Sequence, residues 1–331
     1  MQYKSVKGFT PLGQLSILFV FLALGFILAA GVQLVISVQM LPANVSTTDM
    51  GDAMLKAMLD PKNVGLARLA QVLGTFFLLF VPAVLYSLVT NGTNKFWLGF
   101  NKQINIYQVI IGFFIIFAAS VVAAPVGDFT KNLVAHFPDI DRAAIQLEKV
   151  YTEQVMILSN LRSWPEFLMA IVIMAFFPAL FEEVFFRAGL QQILVRWMGT
   201  PIFAIMITSL VFSIIHMSIY LFFSRAILGF VLGMMYHKSK NIWVNVIAHF
   251  LNNAIAVAQL FWMSTHNDKM DLTKLDPKIQ WWWGVLALII LIFLFWLLNI
   301  FSIKNRARIE AKEALLYAKG NTYDPFNQKL A

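Results

Sequence analysis

Six polar side chains interrupt strongly apolar stretches of this sequence, and their types are suited to acid–base chemistry. In chain order they are Glu182, Glu183, Arg187, His216, His249 and Asn253. A carboxylate and an imidazole that converge in a wet pocket can hold and deprotonate a water molecule. A second imidazole and an amide can donate hydrogen bonds to the oxyanion that forms when this water attacks a carbonyl. The residue types therefore suit hydrolysis of a peptide bond without a covalent intermediate.

The spacing of the first three residues separates the two carboxylates. On a helix, Glu183 and Arg187 lie four positions apart on one face, with the acid toward the amino end, which favours an ion pair. Glu182 points about 100° away from Glu183. The spacing predicts that the arginine neutralises Glu183 and that Glu182 stays free for chemistry.

The elements that carry these residues belong to a membrane protein. The chain has 331 residues, of which 60% are hydrophobic and 13% are charged. Soluble domains contain about 45–50% apolar and about 25% charged residues, so this chain lacks the polar side chains to cover a soluble globule. The sequence has no cysteine, which excludes disulfides, thiolate metal sites and cysteine nucleophiles. The net charge of +8 is attributed to membrane orientation, and no basic stripe interleaved with aromatic residues indicates a nucleic-acid partner.

Long stretches without charge predict eight transmembrane helices and an all-α polytopic fold in the lipid bilayer. The predicted spans are 15–38, 69–90, 106–126, 167–196, 202–219, 221–236, 243–261 and 281–301. At about 1.5 Å per residue, Glu183, His216 and Asn253 lie at similar depths in the fourth, fifth and seventh spans. The active site is therefore expected among helices four to seven, near the middle of the membrane.

The spans divide the chain into five predicted parts. Residues 1–126 form three transmembrane helices, 127–164 an extramembrane amphipathic segment and 165–262 the catalytic core; 263–303 hold a loop and the last span, and 304–331 a basic tail. This tail is expected to anchor on anionic lipid and then become disordered. Lys and Arg are denser in the short loops on the side of the membrane where the amino terminus lies, which predicts that both termini are cytoplasmic. Gly229 and Gly233, four positions apart, predict close helix packing.

Three motifs together resemble those of the CPBP family of intramembrane proteases, also called the CAAX protease and bacteriocin-processing family. They are Glu182-Glu183-x-x-x-Arg187, Phe212-x-x-x-His216 and His249-x-x-x-Asn253, and the resemblance covers about residues 165–254. The resemblance implies that Glu182 and His216 activate the water, and that His249 and Asn253 form the oxyanion site. Glu183 and Arg187 would brace the helix.

The same resemblance implies a substrate and a location. Eukaryotic members trim the last three residues from prenylated CAAX proteins, and bacterial members act in peptide maturation or bacteriocin self-immunity. A membrane-bound peptide or protein is thus the expected substrate, and the cytoplasmic membrane of a bacterium the expected location. The sequence leaves the oligomeric state open.

Several alternatives remain open at this point. No cofactor is expected, but Glu and His side chains also suit zinc, although the sequence lacks a His-Glu-x-x-His motif. Ser213 and Ser218 flank His216, yet no orienting acid lies at local spacing for a serine mechanism. A protein of another class could use the same polar cluster, either as a non-catalytic immunity or scaffold factor or as a proton-coupled carrier.

Overall fold

A computed structural model describes residues 4–42, 49–159, 161–266 and 279–321, and the regular structure within these ranges is helical throughout. The α-helices are α1 (Pro11–Gln39), α2 (Met50–Met58), α3 (Val64–Thr75), α4 (Val81–Thr90), α5 (Ile106–Val134), α6 (Pro138–Leu158), α7 (Trp164–Ala170), α8 (Phe177–Glu183), α9 (Gln192–Met198), α10 (Pro201–Ile215), α11 (Phe222–Ser239), α12 (Ile242–His266) and α13 (Trp281–Asn321).

Six helical segments of the described chain are long and apolar enough to cross a membrane. They are Pro11–Gln39, Pro61–Thr90, Ile106–Val134, Trp164–Met198, Ile242–His266 and Trp281–Lys319. The predicted all-α polytopic membrane fold is confirmed, but the predicted count of eight spans is not. α10 is apolar but has 15 residues, so it reaches about 22 Å, short of the ~30 Å hydrocarbon core. α11 carries Arg225 in its first turn and His237 and Lys238 in its last, which shortens its apolar stretch.

The fourth span is one continuous helix that contains two π-helical segments. A capping box starts it, because Ser163 Oγ accepts from the Glu166 backbone and the Glu166 carboxylate accepts from the Ser163 backbone. Two π-helical segments, Ile171–Phe176 and Val184–Gln191, flank α8. Such segments recur at functional sites in proteins. The helical hydrophobicity pattern does not reveal π-helical segments, so the sequence did not predict them.

The carboxyl-terminal helix is longer than the predicted last span, which ended at residue 301. α13 continues through the basic stretch to Asn321. It continues because this stretch packs on the protein: Ile309 is buried against Phe96 and Trp97, and the Tyr317 ring lies 4.9 Å from the Trp97 ring. The predicted disordered end beyond it, 322–331, lies outside the described residues.

The helix α6 lies within the predicted amphipathic segment and is tied to the turn between α10 and α11. The Tyr220 hydroxyl donates to Asp141 Oδ1 at 2.6 Å, and the Ser218 hydroxyl donates to Glu148 Oε2 at 3.3 Å. Burial, together with the neighbouring Asp141 carboxylate, raises the pKa of Tyr220 to about 12. The phenol therefore stays protonated, and remains a donor, throughout the physiological pH range.

The two glycines of α11 allow close packing on α10, as the sequence predicted. A Cβ atom at Gly233 would lie 2.6 Å from Ile205 Cγ2 and 3.0 Å from Gln191 Oε1. A Cβ atom at Gly229 would lie 3.1 Å from Ser209 Cβ. This approach keeps the His216 end of α10 against α11.

We predict that Gly233→Leu lowers the free energy of unfolding by about 1–3 kcal/mol, since the larger side chain cannot enter the α10–α11 contact. The matched control is Gly31→Leu on α1, where a Cβ atom meets nothing within 4 Å and the gain in helix propensity is the same. Unfolding by SDS in mixed micelles measures both variants. Equal stability of the two variants would contradict the packing described here.

Candidate active site

Glu182 lies between two histidines that come from different helices. Its Oε2 atom is 3.9 Å from Nε2 of His216, at the carboxyl end of α10, and 3.9 Å from Nε2 of His249 on α12. These distances are longer than direct hydrogen bonds. The Oε2 atom is buried, and it has no hydrogen-bond partner in the described part of the chain. A buried polar atom without a protein partner is uncommon in folded proteins, and catalytic groups are one place where it occurs.

Glu183 has the opposite environment, because its carboxylate is fully buried and saturated with donors. Arg187 Nε donates to Oε2 at 3.0 Å, which confirms the predicted i,i+4 ion pair. Asn245 Nδ2 also donates to Oε2 at 3.0 Å, and His249 Nδ1 lies 3.1 Å from Oε1. Arg187, like Glu183, is completely buried. The pair therefore joins the fourth span to α12.

Asn245 was not among the site residues predicted from the sequence. It lies four residues before His249, as Asn253 lies four residues after it, so all three share one face of α12. This longer repeat of polar residues on an apolar helix was the signal available in the sequence. Asn245 Nδ2 also lies 2.7 Å from the Leu232 carbonyl oxygen, which ties α12 to α11.

Hydrogen bonds at the Nδ1 atoms determine how each imidazole presents its other nitrogen. His216 Nδ1 lies 2.7 Å from the Phe212 carbonyl oxygen, which can only accept, so this nitrogen carries a proton. In the neutral ring, Nε2 of His216 is then a free acceptor facing Glu182. His249 Nδ1 faces the Glu183 carboxylate, so this nitrogen also carries a proton.

Phe212 separates the buried ion pair from the more open part of the site. The guanidinium carbon of Arg187 lies 5.3 Å from the centroid of the Phe212 ring, and the His216 ring lies 4.5 Å from it on centroids. The aromatic face thus contacts the cation and the imidazole together, which fixes the side chain of His216 against α10.

A cavity of about 520 Å³ contains the predicted catalytic side chains. Glu182, His216, His249 and Asn253 all line it. The structure therefore brings together the four residues, whereas Glu183 and Arg187 lie behind the wall. The described residues include no group of three or more His, Cys, Asp or Glu side chains arranged to hold a metal ion.

Comparison with known families agrees with the three motifs. Residues 164–255 match the family model described as "Type II CAAX prenyl endopeptidase Rce1-like". This segment is therefore similar to the CAAX prenyl endopeptidases of that model, and we refer to it as the Rce1-like segment. The match confirms the resemblance to the CAAX protease family, and its bounds lie within a residue of those predicted from the motifs. No curated protein and no solved structure matches the chain.

The Rce1-like segment makes up somewhat over a quarter of the chain, and other helices complete its cavity. Leu55 and Met58 of α2, Gln71 of α3, and Tyr151 and Leu158 of α6 line the same cavity. These positions fall outside the matched residues. The cavity is thus a joint product of the Rce1-like segment and the preceding half of the chain.

We predict that Arg187→Met lowers the free energy of unfolding by about 3–5 kcal/mol, because the Glu183 carboxylate keeps its burial and loses its cation. Arg306→Met is the matched control: Arg306 pairs with Glu310 at the same i,i+4 spacing, but both side chains are partly exposed. This control is expected to cost less than about 1 kcal/mol. SDS titration in mixed micelles compares them, and equal costs would refute the buried brace.

Proposed function

We propose that this protein is an intramembrane endopeptidase that hydrolyses peptide bonds of membrane-associated or lipidated proteins by a water molecule activated by Glu182 and His216. One observation carries the proposal: the Glu182 Oε2 atom is buried, has no hydrogen-bond partner among the described residues, and lies 3.9 Å from two imidazole nitrogens at a cavity. The family match to a CAAX endopeptidase over the same residues supports the reaction class.

Water activation follows from the orientation of the two groups. A water molecule beside Glu182 Oε2 and His216 Nε2 can donate one hydrogen bond to each, since both atoms are acceptors. As its oxygen attacks the scissile carbonyl carbon, one of these acceptors takes its proton, and the proton later passes to the nitrogen of the leaving amine. The Phe212 carbonyl keeps His216 in the required tautomer.

Oxyanion stabilisation is assigned to His249 and Asn253. An imidazolium at His249 donates from Nδ1 to Glu183 and has Nε2–H left for the oxyanion. The Asn253 amide, which lines the same cavity, is the second donor. Such preorganised donors typically contribute about 10²–10³ in kcat each.

The proposal also covers the class of substrate and the orientation of the protein in the membrane. The cavity combines the polar cluster with apolar walls, and the protein has several helices able to cross a bilayer, so a substrate held at the membrane is the natural partner. We further propose that both termini are cytoplasmic, because Lys304, Arg306 and Arg308 follow the apolar part of α13.

We predict that Glu182→Gln lowers kcat by at least about 10³-fold, since the amide keeps the shape of the side chain and loses the carboxylate that accepts the proton of the water. Purified protein in detergent is assayed against a library of prenylated and membrane-embedded peptides by mass spectrometry. Glu310→Gln, on the exposed side of α13, is the matched control and keeps full activity. Equal cleavage by wild type and Glu182→Gln would assign the Glu pair to the fold alone.

The same assay separates this mechanism from the zinc alternative. Because Glu182 and His216 activate the water directly in the proposed mechanism, a strong chelator leaves kcat unchanged. Loss of activity with the chelator and its recovery with added zinc would replace this mechanism with water activation by the metal.

A further inference from the structure

His216 is held in a strained turn that depends on contacts from later residues. Met217, directly after the histidine, has φ of +53°, a left-handed conformation that is unfavourable for a residue with a side chain. The Ser213 hydroxyl donates to the Phe222 carbonyl oxygen at 2.5 Å and closes the turn. Arg225 Nη1 donates to the carbonyl oxygen of His216 itself at 2.9 Å. The guanidinium thus binds the peptide unit that joins the histidine to the strained residue.

Arg225 has a second partner, on a different element of the fold. Its guanidinium carbon lies 5.3 Å from the centroid of the Tyr151 ring on α6. Arg225 and Tyr151 both line the cavity that contains Glu182. A cation is attracted to the face of an aromatic ring, which favours one orientation of a flexible arginine.

The contact between Tyr151 and Arg225 belongs to a wider attachment of α6 to this turn. The hydrogen bonds of Tyr220 to Asp141 and of Ser218 to Glu148 attach the same helix to the residues between His216 and Arg225. α6 therefore covers one side of the cavity and contacts the turn that carries His216.

We propose that Arg225 is a positioning residue for His216, and that Tyr151 of α6 holds Arg225 in place, so that docking of α6 over the cavity and placement of the imidazole are coupled. The part of this inference that concerns catalysis rests on the proposed function. When Arg225 leaves the His216 carbonyl, Met217 can relax to a negative φ and the imidazole moves relative to Glu182. A displacement of about 1 Å from the productive geometry costs on the order of 10²-fold in rate.

The first test is a double-mutant cycle measured as kcat and KM. Arg225→Met is expected to lower kcat by roughly 10–100-fold with a change in KM below about threefold, because the arginine acts on the histidine and not on the substrate. Tyr151→Leu is expected to lower kcat by roughly fivefold. Tyr151→Phe, which keeps the aromatic face, retains most of the wild-type kcat. In the double variant, Tyr151→Leu adds no loss beyond that of Arg225→Met. The matched control is Arg142→Met, which removes an arginine on α6 that pairs with Asp139.

The second test needs no peptidase activity. Diethyl pyrocarbonate modifies neutral imidazoles, and mass spectrometry of the full-length protein in detergent gives the rate for each of the five histidines separately. Arg225→Met and Tyr151→Leu are expected to change the modification rate of His216 at least threefold and to leave that of His249 unchanged. Tyr151→Phe and Arg142→Met leave both rates as in the wild type, and Arg225→Lys, which keeps the cation, gives an intermediate rate at His216.

The outcomes separate this inference from the proposed function. An unchanged rate at His216 in Arg225→Met overturns the inference, whatever the peptidase assay shows. Multiplicative losses of kcat in the double variant, or an effect confined to KM, also overturn it, because the two residues would then act independently or on the substrate. A wild type that cleaves no peptide contradicts the proposed function, and the modification rates still decide whether Arg225 positions His216.

Discussion

The burial of the Glu183 carboxylate imposes a constraint on every element around the site. A charged group in the interior of a membrane protein needs a counter-charge and hydrogen-bond donors, because no bulk water is present to solvate it. Arg187, in the fourth span like Glu183, supplies the counter-charge, and Asn245 and His249 of α12 supply hydrogen-bond donors. The fourth span and α12 are therefore held in one register, and neither can slide along the other without exposing an unpaired carboxylate.

This register determines where Glu182 and the imidazoles of His216 and His249 lie. When Glu183 is fixed, Glu182 points toward the cavity, and when Glu183 orients Nδ1 of His249, Nε2 of that ring faces Glu182. The packing of Gly233 on α10 then brings His216 to the other side of the same carboxylate oxygen. The two adjacent carboxylates thus have different environments: Glu183 accepts from several donors, whereas the Oε2 atom of Glu182 has no hydrogen-bond partner among the described residues.

The sequence predicted the features that depend on local spacing. The Glu183–Arg187 pair and the close packing at Gly233 follow from positions four residues apart on a helix, and the three motifs matched a family over residues 164–255. Features that depend on distant parts of the chain were missed. No periodicity in the sequence indicates the contact of Tyr151 with Arg225 or the parts of the cavity wall that come from α2 and α3. The extension of α13 depends on packing against Trp97, which the sequence does not reveal either. The π-helical segment that follows Glu183 was also missed, because the hydrophobicity of its residues does not distinguish a π-helix from an α-helix.

In the proposed mechanism a water molecule, and not a side chain, attacks the peptide carbonyl. A single turnover in ¹⁸O-labelled water with hydroxylamine present tests this claim most directly, with the products analysed by mass spectrometry. Direct attack by water predicts one ¹⁸O atom in the newly formed carboxylate and no hydroxamate. Formation of a hydroxamate would show a covalent acyl intermediate and contradict this mechanism. An unlabelled carboxylate in the first turnover would also contradict it, because the new oxygen would then have come from an enzyme carboxylate and not from water.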